Sequence, residues 1–305
     1  MYDTTTLILE GVHYADLIPK YLNNPAQSWQ GEVEKWSGTI GAGQRVYVDP
    51  YGVTFSGSIA KLLLGDNVRG LTRKDTQYAI EFLSDTLHED FKQSKARRVD
   101  IACNILTEYE PTAYYCFLGS SGRYARSRYK DSLYYTVGNR QLIFYNKVQD
   151  AYAKGMEVPH WAIGQHILRY ELRLKNRLLK QLNRSELKGK DLYGEEVYIQ
   201  LCDMYLYEYR AINKLSGMQL DKEQIKTPGD LVDQMLGSLI MSSNTDAQER
   251  IDELMKQAKG LEVFDDPKYY SRANSKLKKL LQSTDYSSLV SELDEKVSGA
   301  IAFYR

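Results

Sequence analysis

The chain of 305 residues is 43% hydrophobic and 26% charged, and its 40 basic and 40 acidic side chains give a formal net charge of zero. These ordinary values exclude a disordered or fibrous protein. The start of the chain lacks the pattern of a signal peptide, and no run of about 18 apolar residues occurs, so we expect a soluble cytoplasmic protein without membrane contact.

The zero net charge conceals an uneven distribution of charge along the chain. Residues 1–91 carry 7 basic and 12 acidic side chains, residues 92–190 carry 19 and 8, and residues 191–305 carry 14 and 20. A central part with a net charge of +11 is typical of a surface that follows a phosphate backbone. Solvated lysines and arginines on exposed faces are the alternative explanation.

The first two thirds of the chain are predicted to be rich in β-structure. A helix interrupts them, with Thr72 as its N-cap and Asp75 in its first turn. A loop rich in glycine, serine and arginine occupies residues 119–128. The predicted strands lie at residues 5–12, 36–40, 45–48, 52–58, 98–104, 132–137, 141–148 and 167–175.

From residue 176 onward the pattern becomes helical, with breaks at glycine, proline and serine. Three segments are each long enough for about three helical turns, at residues 230–241, 245–258 and 270–281. We place a domain boundary near Ser216. This divides the chain into residues 1–215 and a small helical module of residues 216–305.

Two predicted strands each carry a carboxylate that catalysis could use. Asp100 lies on the polar face of one strand, and Glu171 lies on a face of the other. If the strands share a sheet, both can point to the same side and bind Mg²⁺ or Mn²⁺ through hard oxygen ligands. A ladder of ion pairs on a solvated sheet face is the alternative. The same two strands carry four candidate phosphate-binding side chains: Arg98, Arg169, Arg173 and Lys175.

Tyrosines in two places are candidate nucleophiles. Tyr145 shares one face of a predicted strand with Lys147, which can favour a phenolate or stabilise the scissile phosphate. Tyr205 and Tyr209 lie four residues apart in a predicted helix, so two hydroxyls on one face could serve successive strand transfers. The chain has 25 tyrosines, however, and a tyrosine-rich helix packed on the sheet gives the same pattern.

The loop at residues 119–128 is a weaker signal for DNA binding, because flexible basic loops are common. It offers Arg123, Arg126 and Arg128 for phosphate contacts, and Tyr124 for stacking on a base.

Cysteine and histidine spacing predicts neither a disulfide framework nor a metal centre. Cys103, Cys116 and Cys202 lack CxxC spacing, so we expect all three to be reduced and buried. The four histidines show neither HxH nor HExxH spacing.

Five short motifs follow one another along the chain. They are GSIAKLLLGDN at residues 57–67, LT at 71–72, RVDIA at 98–102, LIFYNK at 142–147 and LRYELRL at 168–174. This succession resembles the filamentous-phage gene II/gene X type of phage and plasmid replication protein. It is also similar, more distantly, to the plasmid initiators that open rolling-circle origins in Gram-positive bacteria. The resemblance covers roughly residues 1–215.

The resemblance implies a metal-dependent nickase that binds single- and double-stranded origin DNA, forms a phosphotyrosine link to the 5′ end and leaves a 3′-OH. On matching positions, Asp100 and Glu171 are its metal-site candidates. Two-tyrosine initiators space their tyrosines as Tyr205 and Tyr209 are spaced, but the histidine–hydrophobic–histidine strand of those enzymes is absent here. Tyr145 and Tyr170 lie inside matched motifs and are further candidates.

The predicted fold class is α+β: an antiparallel β-sheet with flanking helices, as in rolling-circle nickases, followed by a small helical C-terminal module. Two other functions stay open, a non-catalytic DNA-binding regulator and a metal-dependent nuclease that uses water. For the acidic C-terminal module, the residues do not decide between homodimer formation and contact with a host helicase.

Overall fold

The computed structural model of the chain describes residues 1–11, 18–129, 131–214, 220, 222–241, 247–283 and 289–305. The predicted domain boundary near Ser216 lies outside the described residues, and so does the side chain of Cys116. Cys103 and Cys202 are free and buried, as predicted. Among the described helices, none combines the length and apolar character needed to cross a membrane.

A ten-stranded sheet organises the described chain, with the order β2-β3-β4-β5-β1-β6-β10-β9-β8-β7. Every neighbouring pair of strands is antiparallel, which confirms the predicted α+β class with an antiparallel sheet. The strands are β1 (Tyr2–Glu10), β2 (Asn23–Gln30), β3 (Val33–Ile40), β4 (Gln44–Asp49), β5 (Gly52–Ser58), β6 (Lys95–Leu106), β7 (Ala125–Arg128), β8 (Ser132–Val137), β9 (Arg140–Asn146) and β10 (Ile167–Leu174).

Nine α-helices lie in the described part of the chain. They are α1 (Ile59–Leu64), α2 (Arg73–Leu87), α3 (Lys147–Ala153), α4 (Leu178–Gln181), α5 (Glu195–Arg210), α6 (Pro228–Met241), α7 (Ala247–Gly260), α8 (Pro267–Ser283) and α9 (Leu289–Tyr304). The predicted helical character of the last third is therefore confirmed.

The start of α2 follows from its sequence. The Thr72 hydroxyl accepts a hydrogen bond from the Asp75 backbone N–H at 3.2 Å, and the Asp75 carboxylate accepts one from the Thr72 backbone N–H at 2.9 Å. This reciprocal capping box satisfies two N–H groups that the helix leaves unpaired.

One face of the sheet packs against helices and contributes to a single large apolar core. The core includes Tyr170 and Leu172 of β10 as well as Tyr205 of α5. Leu293 and Val297 of α9 belong to the same core, and α9 packs against β6 of the sheet. The opposite face carries the polar residues of β6 and β10 and holds the candidate site.

Some predicted strands and loops differ from the observed ones, and nearby side chains explain the differences. The strand predicted at residues 141–148 ends at Asn146, whose side chain accepts hydrogen bonds from the backbone N–H groups of Val148 and Gln149 and so caps α3. Lys147 is therefore the first residue of a helix, not a strand neighbour of Tyr145. Part of the predicted loop forms β7, and β2 was missed because its side chains are all exposed and show no apolar alternation.

We expect Thr72→Ala to lower the free energy of unfolding by about 1 kcal/mol, because the capping hydroxyl is lost. Urea unfolding followed by tryptophan fluorescence measures the change. Thr86→Ala, at the other end of the same helix, is the matched control and should have a smaller effect. Equal effects of the two substitutions would show that the capping box contributes nothing.

Candidate active site

Asp100 and Glu171 lie on the same side of the sheet, on neighbouring strands. The register pairs Asp100 of β6 with Arg173 of β10, and directly opposed residues of antiparallel strands share a face. Glu171 is two residues from Arg173 and lies on that face as well. The two carboxylates are therefore diagonal neighbours.

Arginine side chains pair with both carboxylates. Arg98 Nε donates to Asp100 Oδ1 at 2.9 Å, and its Nη2 donates to Oδ2. Arg173 Nε donates to Glu171 Oε1 at 3.0 Å and lies 3.8 Å from Asp100 Oδ2. Burial raises the pKa of Asp100 to about 6; the hydrogen bond from Arg98 opposes this shift, and the charge of Glu171 adds to it.

The donor chemistry of this pair fits a Mg²⁺ or Mn²⁺ ion. Mg²⁺ is commonly bound by one or two carboxylates, with the other positions filled by water and substrate phosphate, and Asp100 and Glu171 supply two. No group of three or more His, Cys, Asp or Glu side chains that could hold a metal occurs within the described residues. An ion here would depend on the substrate and would compete with Arg98 and Arg173 for the oxygens.

The Tyr145 hydroxyl is in contact with one of the two carboxylates. Tyr145 lies on β9 directly opposite Arg169 of β10, and its hydroxyl donates to Glu171 Oε2 at 3.4 Å. Burial raises the pKa of Tyr145 above its usual value; Arg169 opposes this and the Glu171 charge reinforces it. Deprotonation of the phenol therefore needs a nearby base, and Glu171 is in place for that role.

Arg169 is a buried charge beneath the site rather than a DNA contact. Its Nη2 lies 2.6 Å from Asp3 Oδ2, and its Nη1 donates to the Asn67 carbonyl oxygen at 3.0 Å and to Asn104 Oδ1 at 3.1 Å. Arg169 and Asn67 hold the pKa of Asp3 well below its usual range although burial alone would raise it. The enclosed position of this side chain argues against the predicted phosphate contact of Arg169.

Lys147 reaches the site from the first turn of α3. Its Nζ donates to Asn67 Oδ1 at 2.7 Å. Burial lowers the pKa of Lys147 to about 7, and the nearby charge of Arg169 lowers it further, while Asp3 acts in the opposite sense. Near neutral pH the amine can therefore both hold and release a proton.

Some of these side chains line an open cleft of about 330 Å³ on the polar face of the sheet, whereas Asp100, Arg98 and Arg169 lie outside its lining. Tyr145, Lys147, Glu171 and Arg173 line it. Asp3 and Asn67 also line it, and sequence reasoning gave neither a role. The one signal for Asn67 was its position at the end of the GSIAKLLLGDN motif.

The other candidate tyrosines lie on the opposite face of the sheet. Tyr170 precedes Glu171 in an extended strand and so points away from it. The Tyr205 hydroxyl donates to the Tyr170 carbonyl oxygen at 2.9 Å, and the Tyr209 hydroxyl donates to Asp294 Oδ1 at 2.6 Å. All three rings are buried in the core, and burial raises the pKa of each. This placement argues against all three as nucleophiles and favours the structural alternative.

Two arginines of the basic loop form buried ion pairs within the protein. Arg126 Nη1 lies 3.0 Å from Asp230 Oδ1, and Arg128 Nε lies 3.0 Å from Asp233 Oδ2, both on α6. The side chains of these arginines are only 10% and 1% exposed, which argues against the predicted phosphate contacts. Their partners lie about a hundred residues away in sequence, and no local pattern predicts them.

The side chain of Arg123 is exposed enough to contact DNA, whereas the ring of Tyr124 is buried. The Arg123 side chain is 59% exposed while it pairs with Glu208 at 2.9 Å. The Tyr124 hydroxyl donates to the same carboxylate at 2.8 Å, and its ring is buried, so it cannot stack on a base.

Three further predicted phosphate contacts are still accessible. The side chains of Arg98 and Arg173 are 32% and 28% exposed. Lys175 follows the end of β10 and is partly exposed. Arg173 also lines the cleft, which places it nearest to a bound phosphate.

A comparison with protein families identifies the family of the chain. A family model for the N-terminal part of a phage replication-associated protein, the gene II protein, matches residues 1–198. The chain belongs to this family. The matched part of this gene II-type replication protein includes all ten strands and the whole cleft, whereas Tyr205 and Tyr209 follow it. A search of curated protein sequences found no match.

We expect Asp233→Asn to destabilise the protein by roughly 3–5 kcal/mol, because it removes a buried carboxylate that pairs with the buried Arg128. Asp203→Asn is the matched control, since its partner Arg305 is half exposed and a surface pair contributes about 1 kcal/mol or less. Urea unfolding measures both variants. Unchanged stability together with tighter DNA binding in Asp233→Asn would show instead that Arg128 is available to DNA.

Proposed function

We propose that this replication protein is a rolling-circle initiator that binds its origin and nicks one DNA strand with Tyr145. Family membership supports the role in replication. The observation that carries the chemistry is the hydrogen bond from the Tyr145 hydroxyl to Glu171, in an open cleft lined by Lys147 and Arg173.

The nicking step exchanges one phosphate ester for another. The Tyr145 oxygen attacks the scissile phosphorus, a tyrosine O–P bond forms, and the bond from phosphorus to the 3′ oxygen breaks. Glu171 accepts the phenol proton, and Lys147, whose pKa is about 7, donates a proton to the departing 3′ oxygen. The products are a 5′-phosphotyrosine link and a free 3′-OH.

The cations around the cleft neutralise the phosphate charge. Arg173 borders the cleft and can donate to a non-bridging phosphate oxygen, and Arg98 and Lys175 lie on or beside the same sheet face. A Mg²⁺ or Mn²⁺ ion bound by Asp100 and Glu171 would supply Lewis-acid stabilisation of that charge. For the C-terminal helices, contact with a host helicase or with a second copy stays a prediction.

We expect Tyr145→Phe to abolish the covalent protein–DNA adduct, with a loss of roughly 10³-fold or more in nicking rate, because the nucleophilic oxygen is removed. The assay combines the protein with a 3′-labelled single-stranded origin oligonucleotide and resolves the product on a denaturing gel. Tyr205→Phe and Tyr209→Phe are matched controls that should still form the adduct. Adduct formation by Tyr145→Phe, and its loss in either control, would disprove the assignment.

Removal of divalent metal should stop nicking, and Mg²⁺ or Mn²⁺ should restore it. Direct Mn²⁺ binding, measured by electron paramagnetic resonance with origin oligonucleotide bound to Tyr145→Phe, should weaken below about pH 6, because the protonated Asp100 carboxyl no longer ligates a cation. Asp100→Asn should weaken binding at all pH values, whereas Asp150→Asn, elsewhere at the cleft, should not. Equal Mn²⁺ affinity in Asp100→Asn and the unmodified protein would rule out this site.

The same assays separate the two alternative functions. A nuclease that uses water would cut the oligonucleotide and leave no protein attached to the 5′ phosphate. A non-catalytic DNA-binding regulator would bind origin plasmid and leave it supercoiled, whereas the proposed nickase converts it to open circles.

A further inference from the structure

A second cavity of about 660 Å³ adjoins the catalytic cleft. The two spaces share a wall formed by five residues: Ala42, Lys61, Asn67, Lys147 and Met156. Anything bound in the second cavity therefore lies next to the position where Tyr145 would attack a phosphate.

The GSIAKLLLGDN motif contributes Lys61 and Asn67 to this shared wall. Helix α1 ends at Gly65, whose φ of +81° is a left-handed conformation that favours glycine. The next residue, Asp66, accepts hydrogen bonds from the backbone N–H groups of Val68 at 2.8 Å and Arg69 at 3.3 Å, which fixes the turn. Asn67 is thereby held between the cleft and the cavity. The motif thus positions Asn67 between the two spaces, and the proposed nicking step gives no role to this second space.

The remaining walls of the cavity are mostly apolar and firmly packed. Val158 and Pro159 form one side, and Val68 lies on another. Val68 belongs to a small separate core with Val148 and Ile167, and Val158 packs against that core. The cavity therefore has fixed apolar surfaces suited to the flat faces of a ring system.

Lys61, at the shared wall, can donate further hydrogen bonds. The Lys61 ammonium donates to Met156 Sδ at 2.8 Å, and a thioether sulfur is a weak acceptor. An ammonium group has three donors, so Lys61 can also bind a phosphate oxygen or a carbonyl oxygen on a base. Asp66, Glu157 and His160 add polar groups to the lining, which can bind the polar edges of a heterocycle.

We propose that this cavity receives one unpaired nucleobase of the nucleotide that flanks the scissile phosphate, and that Lys61 binds the same nucleotide. The inference rests on the proposed nicking function. The volume lies in the range of about 300–1,000 Å³ that is usual for small-molecule sites. The base enters only after it leaves the helical stack, so the site selects DNA that is single-stranded at the nick.

The first experiment removes the base and keeps the phosphate backbone. The nick position is mapped on origin plasmid by primer extension, and single-stranded oligonucleotides across it are made with one abasic site at each position in turn. We expect one position directly beside the nick to lose roughly 10- to 100-fold in the second-order rate of adduct formation. Equal rates for all the abasic oligonucleotides would overturn the proposal.

The second experiment fills the cavity. Val158→Trp should lower the adduct rate on the intact oligonucleotide and make it insensitive to the abasic substitution, because both changes remove the same contact. Ile163→Trp places the same side chain on the same loop outside the cavity and should retain the full abasic effect. If Val158→Trp instead keeps the full abasic effect, so that the two losses in adduct rate multiply, the base binds elsewhere.

A third measurement does not depend on the folding of a cavity variant. The Tyr145→Phe protein, which keeps the cavity, is mixed with oligonucleotides that carry 2-aminopurine at single positions. We expect the fluorescence change on binding to be largest at the flanking position found with the abasic series. A change of equal size at every position would contradict a specific pocket. If the unmodified protein forms no adduct with any oligonucleotide, the nicking function itself has failed, which is a separate outcome.

Discussion

The enclosed guanidinium of Arg169 is the constraint on which the rest of the site depends. A buried charge is tolerated only when it is paired and hydrogen-bonded, and Arg169 finds its partners on three other segments: Asp3 on β1, Asn104 on β6 and the backbone of Asn67 in the loop after α1. These contacts fix the loop against the sheet. The loop in turn binds Lys147 through the Asn67 side chain. The cleft is thus assembled around an ion pair whose guanidinium is enclosed, while its carboxylate, Asp3, lines the cleft.

One face of the sheet packs in the core, and the other holds the candidate site. Adjacent residues of β10 illustrate this, since Tyr170 enters the core whereas Glu171 faces the cleft. The excess of positive charge in the central third is divided in the same way. Arg126, Arg128 and Arg169 serve as counterions for buried carboxylates, so the net charge of that segment overstates the surface offered to DNA.

Sequence patterns predicted the features that depend on residues close together in the chain. Alternation along β6 and β10 gave their polar faces, and the Thr72 cap gave the start of α2. The same patterns could not supply Asp3 and Asn67, because only the folded sheet brings these distant residues to Glu171. Lys147 was misplaced because one capping side chain turned the end of a strand into a helix. The four-residue spacing of the paired tyrosines correctly placed them on one helical face but could not say that this face is turned to the core.

Tyr145 is carried by a strand in the interior of the sheet, between β8 and β10. The backbone of such a strand is hydrogen-bonded on both sides. A DNA end attached to Tyr145 would therefore stay in place, whereas one attached to a side chain on a hinged helix could move. With Tyr145 as the attachment point, each chain offers one fixed anchor for a DNA end. Closing a displaced strand into a circle then requires the new 3′ end to return to this anchor and reverse the attachment, or a second protein molecule to act at the same junction.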